Sequence, residues 1–320
     1  MIRTRLFRLW NGALQRNSNL LFSAVLSTPP IPIDRNAPTV VYSLLNRPNV
    51  NAYILALKSL LRYRTPHHRL AVAVQSDGTL QDRCVRRLTE HFPGIAIFDR
   101  ASAMQLIEEH VDRAPALRSC LPRIDAAHSL LPIYLKLLNV IFRFPDRPVI
   151  LIDSDILFLR QPDVILEWIG TQAGDGFHSD GGSTVGADFV EMGFDFSRVS
   201  VRRFNSGLFG FKNTFSAESL VPVFRKLASF RTNVYSKWDV EQGIWAVLLN
   251  QLNGLICLDD HRKGYVGNGW RTRAELKERS TVVHFVGSSR FNRLTYLHLA
   301  KEVVRDLKSE RVPQPKAALY

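Results

Sequence analysis

Cysteine is scarce in this chain. Cys84, Cys120 and Cys257 are far apart and odd in number. That excludes a disulfide framework and a cysteine-ligated metal site, and it points to a reducing, cytoplasmic compartment. Long apolar runs are missing too. The longest near the N-terminus, Leu20-Leu21-Phe22-Ser23-Ala24-Val25-Leu26, is far short of the roughly 20 residues a membrane-crossing helix needs. It is also too short, and lacks a small-x-small site after it, to read as a signal peptide. No Gly-x-Gly-x-x-Gly follows the first apolar strand, which disfavours a dinucleotide fold. There is no internal repeat and no recognisable nucleic-acid module. Acidic residues are in short supply: 29 Asp and Glu against 42 Lys and Arg leave a net charge of +13. The excess is scattered, serves solubility in part, and favours anionic partners such as nucleotide phosphates, acidic glycans or lipids over nucleic acid.

What is present is ordinary globular material, 46% apolar and 22% charged, enough for one large domain or two small ones. Residues 1–38 look like an appendage. Ile2, Leu6, Leu9, Trp10, Ala13 and Leu14 share one helical face, with Arg5, Arg8 and Arg16 largely opposite. Such a basic amphipathic helix fits either an anionic membrane surface, touched through residues 1–26, or the protein's own body. Pro29, Pro30, Pro32 and Pro38 then mark a linker.

From residue 39 to 310 the pattern is α/β, and 311–320 reads as a flexible tail. Apolar strands at 39–45, 69–74 and 94–98 alternate with helices at 52–63 and 81–91. This rhythm predicts a single, mostly parallel sheet flanked by helices, with a nucleotide-sized crevice at the strand ends. Residues 101–123 read as irregular and polar, and 132–142 as a helix begun by Pro132. Residues 170–193, rich in Gly, Asp and Ser, read as a long loop.

The most informative stretch is Val149-Ile150-Leu151-Ile152-Asp153-Ser154-Asp155. A fully apolar strand runs into two acids that a strand would point the same way. Paired carboxylates repel and are costly to bury unless a cation lies between them. The spacing fits a divalent-metal site, and equally two solvated acids ahead of a turn.

Three later motifs complete an ordered set: Phe204-Asn205-Ser206-Gly207, Glu241-Gln242-Gly243 and His284-Phe285-Val286-Gly287-Ser288-Ser289-Arg290. With Asp153-Ser154-Asp155, this set resembles the GT-A glycosyltransferases over residues 39–299. It is most similar to the retaining family, family eight, that includes glycogenin and bacterial lipopolysaccharide galactosyl- and glucosyltransferases. The chain departs from the family pattern by Glu241 in place of Asp and by Arg290 in place of Lys. It also has Phe291 and Asn292 where the family carries Pro and Trp.

The resemblance implies a GT-A fold and transfer of a hexose, with retention, from a nucleotide-sugar such as a UDP-sugar. The acceptor would be a glycan, a lipid-linked molecule or a protein, as in polysaccharide biosynthesis. It implies Mn²⁺ or Mg²⁺ held by Asp153, Asp155 and His284. The donor would lie against Ser43, Asp77, Lys136, Asp153, Ser154, Ser206, Gly287 and Arg290, and Asn205, Glu241 and Gln242 would face the sugar and acceptor. Asp99 is a further candidate for the ribose or base. The competing expectations are a nucleotide-sugar-binding protein without activity and a haloacid-dehalogenase-like phosphatase. The latter is disfavoured by Leu157, where that family needs Thr or Val. A sugar nucleotidylyltransferase would need a Gly-rich opening that is absent after Val41.

Overall fold

The computed structural model describes residues 10, 12–14, 16–121, 130, 132–180, 187–199, 204–229, 240–261, 264–286 and 294–309. Alternation of apolar residues builds its centre. Strands β1 (Thr39–Leu45), β2 (Leu70–Ser76), β3 (Ala96–Phe98) and β4 (Pro148–Ile152) are apolar on both faces. Val41, Val72, Ile150 and Ile152 enter one core, while Val40, Ala71, Val149 and Leu151 enter the other. The first core lies under the helices Val50–Leu61, Asp163–Thr171 and Thr295–Ser309; the second lies under Ala217–Ser229 and Val240–Leu249.

After β4 come β5 (Ile156–Phe158), β6 (Gly176–Asp180), β7 (Phe204–Lys212), β8 (Leu255–Cys257), β9 (Val266–Asn268) and β10 (Val282–His284). The large sheet has the order β3-β2-β1-β4-β7-β6-β8. Only β7 runs antiparallel to its neighbours. Beside it stands a second sheet in the order β5-β10-β9, absent from the single-sheet expectation.

Three further expectations change. The supposed loop of 170–193 contains β6, a strand paired on both sides. Its Gly176 lets the backbone of β7 come close: a Cβ there would lie 2.2 Å from the Gly210 oxygen. The supposedly irregular 101–123 holds the helix Arg100–Asp112, capped by the Asp99 carboxylate, which accepts the Ser102 N–H at 2.7 Å. The helix begun by Pro132 is wound as a π-helix over Ile133–Leu138 before continuing as Asn139–Arg143.

The segment expected as appendage and linker also packs on the domain from residue 18 onward. Phe22, Val25 and Ile31 are buried in the first core. Ile31 and Ile33 N–H groups donate to the His91 and Pro93 carbonyls at 2.9 and 2.7 Å. Lys58, fully buried in the helix Val50–Leu61, donates to Thr28 Oγ1 at 2.8 Å and to the Thr28 and Pro29 carbonyls. No helix among the described residues is long and apolar enough to cross a membrane.

Candidate active site and metal centre

The site forms where the two sheets meet. β4 ends at Ile152, and Asp153-Ser154-Asp155 makes a turn into β5 rather than continuing the strand. The two carboxylates therefore converge through the turn, not through strand alternation. The Asp153 N–H donates to the Gly207 carbonyl at 2.8 Å, and the Asp155 carbonyl accepts the Phe285 N–H at 2.9 Å. One acid is thus tied to β7 and the other to the residue after β10. His284 closes β10 opposite Ile156, which brings its ring to the same place.

Asp153, Asp155 and His284 each offer a ligand atom, all within 4.8 Å of one another. His284 Nε2 lies 3.2 Å from Asp155 Oδ1 and 3.9 Å from Asp153 Oδ2. Ligands at about 2.0–2.2 Å from one ion are separated by about 3–4 Å, so this donor set fits a divalent cation. Two hard carboxylate oxygens with one imidazole suit Mn²⁺ and accept Mg²⁺.

Gly207 explains why a glycine stands in the Phe204–Gly207 motif. The His284 ring is pressed against it through its Cε1 corner, and a Cβ would fall 2.1 Å from Cε1. The rest of the motif is locked by polar contacts. Asn205 Oδ1 accepts the Gly207 N–H at 2.8 Å, and Gln242 Oε1 accepts the Ser206 N–H at 3.0 Å. Glu241 and Gln242 arrive in the first turn of the helix Val240–Leu249 and are buried.

Among the described residues, Lys136 is the cation of this cluster. It comes from the π-helical segment and donates to Asp153 Oδ1 at 3.0 Å and to Ser206 Oγ at 3.4 Å. Its Nζ is 3.8 Å from Glu241 Oε1, while Ser206 Oγ donates to Glu241 Oε2 at 3.1 Å. A relay Lys136–Ser206–Glu241 results. Burial alone would pull the Lys136 ammonium down, but Asp153, Glu241 and Asp155 more than offset this and hold it above the ordinary lysine value. Burial pushes Glu241 above the ordinary carboxylate range, opposed by Lys136 and reinforced by the charge of Asp153.

The π-helical turn is held by buried polar contacts. Tyr42 of β1 donates its hydroxyl to the Leu135 carbonyl. Asn139 Nδ2 donates to that hydroxyl at 2.9 Å and to Gln75 Oε1 at 3.1 Å. This buried network, running from the turn that carries Lys136 to β2, was not anticipated from sequence. Its signal was Asn139 and Gln75, amides set among apolar neighbours. π-bulges of this kind are frequent at functional sites.

Other expected residues stand elsewhere. Ser43 is buried and donates its hydroxyl to the Ile152 carbonyl at 2.7 Å, which braces the end of β4. Asp77 is engaged in its own turn, accepting the Thr79 N–H and hydroxyl at 2.9 and 2.7 Å. Asp99 is the helix cap already described. Ser154 lies half-buried between the two acids, its carbonyl accepting the Tyr296 hydroxyl at 3.3 Å. Gly287 and Arg290 fall outside the described residues. Sequence reasoning also missed β9, too short to announce itself, whose Asn268 pairs with His284.

No family model matches the chain, and no curated protein sequence is recognisably similar. Among solved structures, the chain is similar to mouse xyloside xylosyltransferase 1 in its apo form, with 13% identity over 80% of this chain and 98% of that one and a TM-score of 0.43. It is similar to the galactosyltransferase LgtC in complex with donor and acceptor sugar analogs, with 13% identity over 87% and 98% of the two chains and a TM-score of 0.44. It is also similar to core-mannan synthase A from Aspergillus fumigatus in its Mn/GDP form, with 11% identity over 69% and 72% and a TM-score of 0.40.

Proposed function

We propose that this chain is a metal-dependent glycosyltransferase that moves a hexose from a nucleotide-sugar, a UDP-sugar, to a glycan, lipid-linked or protein acceptor with retention of configuration. The observation that carries this reading is the convergence of Asp153, Asp155 and His284 within 4.8 Å, with Lys136 and Glu241 packed against it. Among the described residues, Asp153, Asp155 and Glu241 stand round one lysine and leave the site short of positive charge, which a divalent cation would balance.

Asp153, Asp155 and His284 would hold Mn²⁺ or Mg²⁺, which supplies Lewis-acid stabilisation of a leaving diphosphate when bound. Lys136 has two roles here. Its fixed charge offers electrostatic stabilisation where the leaving group becomes more negative, without reorganising at the moment of reaction. It also neutralises Glu241. Asn205 and Gln242 orient the sugar side of the site through the locked turn at Ser206 and Gly207. Glu241 and Gln242 face the positive charge that develops on the sugar. Glu241 is buried and engaged by Ser206 and Lys136, which suits that electrostatic task better than nucleophilic attack. The proton of the acceptor would then pass to the departing phosphate.

A panel of UDP- and GDP-sugars, assayed for nucleotide release with Mn²⁺ and with EDTA, tests the reading. Slow metal-dependent release of UDP supports it. Phosphate release from a monoester would instead assign a phosphatase, and nucleotide-sugar binding without turnover a scaffold.

A further inference from the structure

A half-exposed tryptophan lies two residues past Asn268, the strand partner of the candidate metal ligand His284. β9 ends at Asn268, the register partner of His284. The next residue, Gly269, donates its N–H to the His284 carbonyl at 3.2 Å. Trp270 follows immediately. The turn that carries it is held at both ends. Asn268 Oδ1 accepts the Trp270 N–H at 3.0 Å, and the Asn268 carbonyl accepts the Arg271 N–H at 3.0 Å. Thr272 then opens the helix Arg273–Arg279 with a reciprocal capping box to Glu275. On the inner side, Gly267 is pressed so tightly that a Cβ would lie 2.2 Å from Ser280 Oγ.

Despite this rigid seat, Trp270 is 49% exposed, whereas Trp168 and Trp245 are buried. Val286, two residues past His284, is 40% exposed as well. An indole offers a large contact area at little entropic cost, with an apolar face and a polar Nε1–H. We infer that Trp270 is the platform on which the sugar ring of the acceptor stacks, an assignment that rests on the transferase reading above. A pyranose carries C–H bonds on one face and hydroxyls round its edge, which matches the two parts of an indole. The anionic donor diphosphate is matched instead by metal ligands and cations. The nucleobase is expected at the ends of β1 and β2, whereas β9 borders only β10 in its own sheet.

The test measures transfer from whichever UDP-sugar the protein hydrolyses to a panel of methyl α- and β-glycopyranosides, lactose, maltose and cellobiose. Trp270→Ala and Trp270→Phe are compared with the wild type. In Trp270→Ala the acceptor KM rises about five- to tenfold, while donor hydrolysis and UDP affinity stay at wild-type values; Trp270→Phe retains most of the acceptor affinity. Indole emission of the wild type shifts on adding the accepted sugar, and Trp270→Phe loses that shift. An unchanged acceptor KM in Trp270→Ala, an equal loss of UDP affinity, or a wild type that hydrolyses donor but uses no pyranoside each overturns the assignment alone. A wild type that releases no nucleotide from any donor overturns the transferase reading and the platform with it.

Discussion

Replacing Gly207 by alanine probes the site with one methyl group. An ideal Cβ on Gly207 would stand 2.1 Å from His284 Cε1, 2.7 Å from Nε2 and 2.8 Å from Nδ1. Carbon atoms settle at about 3.5–4.0 Å, so the ring must retreat by about 1.4 Å or more. His284 has little room for this: it is 7% exposed, and its strand is paired on both sides. If the backbone of β7 yielded instead, the Gly207 carbonyl would drag the Asp153 N–H that it accepts at 2.8 Å. Either movement exceeds the roughly ±0.2 Å within which metal–ligand distances are held. Mn²⁺ affinity is expected to fall on the order of 10–100-fold, read by calorimetric titration of the purified protein. Overpacking should cost about 1–3 kcal/mol in urea unfolding, leaving a folded protein to titrate. Wild-type Mn²⁺ affinity in Gly207→Ala would refute both the close seating of the ring and His284 as a ligand.

Asp155→Ala and His284→Ala should each abolish metal-dependent nucleotide release while keeping a wild-type circular dichroism spectrum; full turnover in either, or in EDTA, would remove the metal assignment. Lys136→Met leaves buried Glu241 and the partner carboxylate of Asp153 uncompensated, so it should lower unfolding stability by about 3 kcal/mol. Saturating Mn²⁺ should recover part of that loss, and an Mn²⁺-independent deficit would argue against one shared charge cluster. Burial pushes the Lys58 ammonium down to about 7 from its ordinary 10.5. Between those values the unfolded chain binds the extra proton, so Lys58 makes stability rise with pH from about 7 to about 10.5. Lys58→Met should flatten this slope in thermal melts, and an unchanged slope would rule the residue out as its source. Trp10 and Leu20 are exposed. Deleting residues 1–16 spares the packed segment from residue 18 onward and should reduce retention on phosphatidylserine vesicles; equal retention would assign the basic helix to the protein's own surface.

Much of the frame was legible because the physics that fixes it is local. β1 spans an apolar-rich run interrupted by Ser43, and β4 stops where Asp153 makes further burial costly. The helix Arg100–Asp112 was hidden because only Ala103, Ile107 and Val111 are buried among polar residues. β6 was hidden because Gly176 and His178 do not read as a strand until β7 and β8 pair with it. The three-residue strand β9 gives no reliable periodicity, and pairing with β10 defines it.

The same division runs through the site. The sequence by itself determined which residue types are available and in what order: two acids after a core strand, a glycine-containing strand entry, an acid and an amide opening a helix, and a histidine ending a strand. Tertiary structure alone decided that Gly207 supplies both the floor under His284 and the acceptor for Asp153. It also decided that a π-turn pinned by Tyr42 delivers Lys136 between Asp153 and Glu241. Finally, it turned Ser43, Asp77 and Asp99 to bracing the backbone. Those outcomes depend on side chains from distant segments meeting at ångström separations, which spacing along the chain does not encode.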